Sequence, residues 1–349
     1  MCPLWVPALS SSRERASGRP VSPLRVWLVG FGMVGKWVAG ALDTQAGRLT
    51  SRYGRAVRVV GIANARDGFV YHADGLDLAS VLAAVGGRPI TGQRGVRCWP
   101  SAIEGLRATE ADLLVEVTAS PPGDGEPGLT HMREALRRGI PVVTSNKWPV
   151  ALRGVELAEL ARSQRVAFRA ESTVMSGTPV LSALTEGLAG AVPVALRGVL
   201  NATVNAVLSS MADGTSYQDA LACAQRAGLA ETDPAADVEG HDATAKVMIL
   251  SALVFGRQLS REQVACRGIT GLNGRDVRRA ASAGGRLRHV ASLAFSGPDG
   301  TGTVTARVQP EVVPAGDLLA GIDGAGPQLA GQGVLSDIIA VARWQARSS

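Results

Sequence analysis

The chain has 349 residues and a mass of 36.0 kDa, with 46% hydrophobic, 19% charged and 4% aromatic residues and a formal net charge of +6. So much apolar content at so low a charge excludes a disordered protein, and the length allows one large domain or two to three ordinary ones. The positive balance raises the question of an anionic macromolecule, but the basic residues form no block and no aromatics interleave them, so no nucleic acid is expected; no apolar run reaches the roughly 18 residues of a membrane span, so no membrane is expected either.

Residues 1–22 lack a basic leader with an apolar stretch and read as a disordered tail rather than a secretory signal. Leu24 to Val29 is a short apolar run suited to a buried parallel strand. It enters Gly30-Phe31-Gly32-Met33-Val34-Gly35 and then a helical stretch from Lys36 to Ala46. A second strand follows at Val57 to Ala63. Two more apolar runs, Leu113 to Val117 and Pro141 to Thr144, flank a helix-like Leu129 to Gly139. Glu156 to Ser163 reads as another helix and Arg165 to Arg169 as a strand. This alternation predicts an α/β fold, a Rossmann-type doubly wound parallel sheet. Beyond about residue 166 the rhythm changes to an α+β pattern: a helix over Pro179 to Leu188, a strand over Val194 to Leu200, and a helix over Tyr217 to Ala227 capped by Ser216 and stopped by Gly228. A polar loop, Glu231 to Gly240, precedes a long helix from His241 to Phe255. Gly284 to Gly302 reads as a loop-rich mobile segment, Thr303 to Val313 as a strand and Gly333 to Ala346 as a final amphipathic helix. The four cysteines (Cys2, Cys98, Cys223, Cys266) are far apart, which disfavours zinc and disulfide frameworks and makes a reducing, cytoplasmic setting the expectation.

Four segments carry chemistry. The glycine loop lies between a strand and a helix, the context in which backbone N–H groups and a helix N-terminus meet a pyrophosphate. At the end of the second strand, Asn64-Ala65-Arg66 stands where a carboxylate would take the ribose of NAD, which favours the 2′-phosphate of NADP while leaving NAD possible. In the second segment, Glu231 to Lys246, five carboxylates are closed by a lysine, and Asp242 and Lys246 share one helix face at i,i+4. Of the 36 lysines and arginines only Lys36, Lys147 and Lys246 are lysine, so a lysine kept against that bias is a candidate for proton chemistry, which arginine cannot perform. Third, Lys147 in Thr144-Ser145-Asn146-Lys147 follows a strand at its carboxyl end, where ligands bind in open α/β sheets. Fourth, Glu171 to Pro179 sets small residues and carbonyls beside a carboxylate, which suits either a monovalent cation such as sodium or a plain strand-to-helix turn. Lys36 opens the first helix and has no assigned chemistry.

Together these segments resemble the homoserine dehydrogenase family, through Gly198-Val-Leu-Asn-Ala-Thr-Val-Asn205, Ala227-Gly-Leu-Ala-Glu-Thr-Asp-Pro234 and Asp237-Val-Glu-Gly-His-Asp-Ala-Thr-Ala-Lys246, with the likeness running over about 24–349. The resemblance implies NAD(P)-dependent interconversion of aspartate 4-semialdehyde and homoserine, in threonine, methionine and isoleucine biosynthesis. It makes Lys246 the acid–base residue, Asp242 its partner and Lys147 a residue near both nicotinamide and substrate. Glu231 and Asp237 become substrate-binding positions. Gly30, Gly32, Met33, Val34, Gly35, Asn64, Arg66, Thr118, Lys147 and Gly326 become cofactor positions. Glu171, Val174, Ser176 and Thr178 become the monovalent-cation loop. It further implies a homodimer, a discontinuous nucleotide domain (23–165 with 316–349), a catalytic and dimerisation domain (166–315), and no C-terminal regulatory domain. Ala202 stands where the family has glycine, Met175 and Ser176 replace small or glycine residues, and Ala330-Gly331 replace Thr-Ala; these departures leave room for another small amino-acid aldehyde or alcohol as substrate in a specialised pathway, and a non-catalytic nucleotide-binding sensor is the remaining alternative.

Overall fold

The computed structural model describes residues 22–84, 94–230, 233–296, 302–314 and 327–348. Its first sheet has seven strands: β1 (Leu24–Val29), β2 (Val57–Asn64), β3 (Gly68–Tyr71), β4 (Arg97–Trp99), β5 (Leu113–Glu116), β6 (Val142–Thr144) and β7 (Phe168–Arg169), in the order β4-β3-β2-β1-β5-β6-β7. Strands β1, β2, β5, β6 and β7 are parallel, while β3 and β4 add antiparallel at one edge. The central strands are mostly apolar because both faces are covered. One face packs Leu24, Val26, Leu28 and Val115 against Val38 and Leu42 of the helix Met33–Thr44 and against Val334, Leu335 and Ile338 of the helix Pro327–Ser348. The other packs Trp27, Val29 and Leu114 against Met132, Leu136 and Leu157 of the helices Gly128–Arg137 and Lys147–Ser163. Register aligns Val29 with Glu116 and Glu116 with Thr144, so the loops after β1, β5 and β6 open side by side at one edge.

The second sheet, β8 (Ala195–Gly198), β9 (Val264–Cys266), β10 (Gly285–Phe295) and β11 (Val304–Pro314), is ordered β8-β10-β11-β9. Against it lies the helix His241–Val254, whose run Ala243–Ala252 is buried apart from the half-buried Lys246, as befits a helix apolar on every side. Three expectations change here. The segment 285–295 is a strand, not a mobile loop: it pairs over its whole length with β11, and the consecutive burial of His289, Val290 and Ala291 breaks the alternation that would have announced it. The helix expected over Pro179–Leu188 is there, but only Val180–Ser182 is α-helical and its continuation, Ala183–Gly187, is a π-helix. The last helix begins at Pro327, ahead of Gly333. The cap at Ser216 is present, its hydroxyl accepting from Asp219 N at 3.2 Å, and Gly228 follows the helix with φ 70°. The expected tail falls almost wholly outside the described residues, as do Glu231 and Gly326.

Candidate active site

The three glycines of the first loop do different jobs. Gly30 takes φ 103°, and a Cβ there would come within 2.5 Å of the Val117 carbonyl carbon, so only glycine lets β1 turn this close to the β5 loop. Gly35 touches the Gly30 carbonyl, where a Cβ would stand 2.0 Å from the oxygen, and this packs the helix onto the strand. Gly32 is the converse: it is the N-cap of the helix Met33–Thr44, has no side-chain cap, and a Cβ there would meet nothing within 4 Å. Met33 beside it is 73% exposed and Val34 is half-buried. A helix N-terminus with an uncovered approach fits a pyrophosphate.

Behind this loop lies a buried polar cluster. Glu116, fully buried at the end of β5, accepts from the Thr118 hydroxyl and N–H, and from Asn146 Nδ2 at 3.1 Å. Asn146 Nδ2 also reaches Thr118 Oγ1 at 3.2 Å and Ser120 Oγ at 2.8 Å. The β5 and β6 loops are thereby tied together, and Thr118 is fixed at the sheet edge. Glu116 and Asn146 were not singled out from the sequence; a carboxylate ending an otherwise apolar strand was the available signal.

Lys147 is the first residue of the helix Lys147–Ser163, which packs beside His241–Val254 so closely that a Cβ on Gly154 would lie 2.8 Å from the Ala252 Cβ. The two helices start together, and the Lys147 ammonium pairs with Asp242 Oδ1. The other carboxylate oxygen, Oδ2, accepts from Lys246 Nζ at 2.8 Å and Asn201 Nδ2 at 3.0 Å. Lys246 Nζ also donates to the Leu200 carbonyl at 2.6 Å. Asn201, 4% exposed, caps the helix Ala202–Ala212 through Val204 N and holds Asp237 Oδ1 at 2.7 Å. Burial alone would raise the Asp242 carboxyl, but Lys246 and Lys147 together hold it far below the ordinary carboxylate range, so it is an anion between two cations. Two carboxylates, two ammonium groups and one amide thus converge from segments that the sequence keeps far apart. Asn201 is the member missed as a functional residue; the sequence marked it only as the end of the strand expected over Val194 to Leu200. Ala202 beside it is exposed.

An NAD(+)-dependent homoserine dehydrogenase of Pseudomonas canavaninivorans is 36% identical over 299 residues, spanning 85% of this chain and 84% of that protein. The chain belongs to the homoserine dehydrogenase family. The family model described as homoserine dehydrogenase matches residues 179–332. The homoserine dehydrogenase of Methanocaldococcus jannaschii is 36% identical over 250 residues, 70% of this chain and 72% of its own. Among solved structures, a homoserine dehydrogenase from Thiobacillus denitrificans aligns with TM-score 0.76 at 31% identity, covering 93% of this chain and 74% of that one. A hyperthermophilic archaeal homoserine dehydrogenase in complex with NADPH aligns with TM-score 0.74 at 25% identity over 91% and 97%.

Two of the expected positions have partners within the protein. The Glu171 carboxylate accepts from Leu181 N at 2.7 Å on one oxygen and Ser182 N at 2.9 Å on the other, so it turns the chain here. The rest of that loop is gripped by the last helix: a Cβ on Gly333 would stand 2.5 Å from the Ser176 carbonyl oxygen, and Ser176 itself adopts φ 51°. Val174 is buried, and Thr178 N closes a turn onto Met175 O at 2.9 Å. Arg66, expected as a phosphate ligand, is paired with Asp67, Nε to Oδ1 at 3.2 Å.

Proposed function

We propose that this chain is a homoserine dehydrogenase, interconverting L-aspartate 4-semialdehyde and L-homoserine with NAD(P) in amino-acid biosynthesis. The observation that carries this reading is the Lys147–Asp242–Lys246 arrangement next to the edge of the sheet where the glycine loop opens. A bound nicotinamide dinucleotide supplies hydride transfer. The protein's part is to hold the aldehyde oxygen and deliver a proton to it as negative charge develops there. Lys246, 13% exposed and held by the Leu200 carbonyl and Asp242, is the proton donor; help of this kind is typically worth ~10²–10⁴-fold. Lys147 is more open at 38% and stands on the nucleotide side of the same carboxylate, where it polarises the substrate. Asp242 orients both, and Asp237 contributes negative charge for the substrate ammonium, together with Glu231 from the sequence pattern. Thr118, fixed by Glu116 at the sheet edge, would border the nicotinamide. The pyridine-nucleotide absorbance, followed on adding L-homoserine and then a panel of other amino alcohols, tests the reading: turnover confined to another alcohol would replace the substrate, and no turnover with any would overturn the reading.

The domain division 23–165 with 316–349, and 166–315, is supported by the burial of Val334, Leu335 and Ile338 in the core of the first sheet. A homodimer is supported by Leu188, Val192 and Val194, which stand exposed just ahead of β8, an edge strand of the second sheet. Sedimentation equilibrium on the purified chain checks it, and a monomer at micromolar concentration would refute it. No helix of the described residues is long and apolar enough to cross a membrane.

A further inference from the structure

Beside the glycine loop, at the end of β2, is a cavity of about 300 Å³ lined by Phe31, Lys36, Asn64, Arg66 and Val81. Among the described residues no carboxylate lines it. Asn64, at the position from which an acidic side chain would accept the ribose hydroxyls of a dinucleotide, is turned inward instead: its Oδ1 accepts from Arg66 N at 2.8 Å and Asp67 N at 2.7 Å, and its Nδ2 donates to Asp67 Oδ2 at 2.8 Å. Asp67, almost fully covered, is held below the ordinary carboxylate range: burial would raise it, and Arg66 and Asn64 outweigh that. The Arg66 charge is accordingly part-neutralised by its neighbour. Lys36 is different. It is half-buried, faces the same cavity, and has no ion-pair partner among the described residues. It also sits in the first turn of the helix Met33–Thr44, its N–H donating to Gly32 O at 3.0 Å, where a cation is opposed by the helix dipole. An uncompensated ammonium in an unfavourable field, aimed into a cavity without carboxylates, is the arrangement that an anion would relieve.

We propose that Lys36 is the principal cation for a 2′-phosphate on the adenosine ribose of the dinucleotide, with the Asp67-bound Arg66 in a lesser role, so that the chain selects the 2′-phosphorylated cofactor. This rests on the glycine loop being a dinucleotide site. The test is calorimetric titration of the full chain with NADPH and with NADH, in wild type, Lys36→Met and Arg66→Met, with thermal melts to verify folding. The wild type binds NADPH tighter than NADH by about 10- to 100-fold, the range a hydrogen bond to a charged group commonly spans. Lys36→Met removes most of that ratio, Lys36→Arg keeps part of it, and Arg66→Met removes less. Equal wild-type affinities, a Lys36→Met loss that falls equally on both cofactors, or a larger loss in Arg66→Met would each overturn the proposal. Binding of neither cofactor by a folded wild type would overturn the glycine-loop reading, and this proposal with it.

Discussion

Asp242 is acidic only because of its neighbours. A buried carboxylate would ordinarily resist ionisation, yet this one lies between the ammonium groups of Lys147 and Lys246 and remains charged. Replacing Lys246 by arginine preserves the positive charge and its attraction to Asp242, but removes the group able to give up a proton. Lys246→Arg is therefore expected to keep the melting temperature and cofactor affinity near wild type while kcat falls ~10²–10⁴-fold; a kcat close to wild type would remove Lys246 from the proton-donor role. The Asp242–Lys246 half of this arrangement was legible in the sequence, because i,i+4 spacing on one helix and the scarcity of lysine are local facts. The Lys147–Asp242 contact was not. It joins residues 95 apart, and only the parallel start of two helices, packed through Gly154 and Ala252, brings them together.

Elements were legible in proportion to how local their determinants are. The β1–glycine loop–helix unit could be read because a tight turn, an apolar strand and a helix must follow in that order. β10 could not, since its stability comes from eleven paired positions on β11 and from burial on both faces near His289, and its opening glycine and two arginines mimic a loop. Likewise the contacts of the Glu171 turn are not local, since Leu181 and Ser182 return to its carboxylate from ten and eleven residues on. The glycine unit itself separates folding from binding. Gly30→Ala would drive a methyl to within 2.5 Å of the Val117 backbone at φ 103°, so it is expected to destabilise the chain, by roughly 1–3 kcal/mol for the backbone strain alone. Gly32→Ala meets nothing within 4 Å and needs no unusual φ, so its melting temperature should match wild type. Its methyl occupies the approach to the helix N-terminus, and dinucleotide affinity should fall by about tenfold or more, as with loss of a charge-assisted contact. Thermal melts and dinucleotide titration of the two variants check this, and unchanged affinity in Gly32→Ala would argue against a pyrophosphate at this helix.

At the scale of the whole molecule, the pH dependence of stability falls partly on His289. Its ring is buried, Nε2 lies 3.1 Å from the Arg267 carbonyl, and Nδ1 has no partner among the described residues. Burial lowers its pKa below the usual histidine value, with the Arg267 carbonyl opposing weakly. The sign follows from proton counting: below about pH 6.5 the unfolded chain takes up a proton that the native ring resists, so stability is full above that value and falls as the pH drops through it. Asp337 works in the opposite sense. Its buried carboxyl is raised despite Arg169 at 2.8 Å, so its own contribution weakens as the pH rises through its titration. A substitution is therefore needed to isolate the histidine. The ring also packs on Gly240, the residue that opens the helix carrying Asp242 and Lys246, and its backbone N–H bonds Asn205, which in turn holds the Asn201 carbonyl. Acid stress at His289 thus bears on the same frame that orients the lysines. His289→Gln should be less stable than wild type at about pH 7.5 but lose less on moving to about pH 5.5, the melting-temperature drop shrinking by about 2–4 °C for each ~1 kcal/mol of linkage removed. An unchanged drop in the variant would move the acid sensitivity of the fold to other groups.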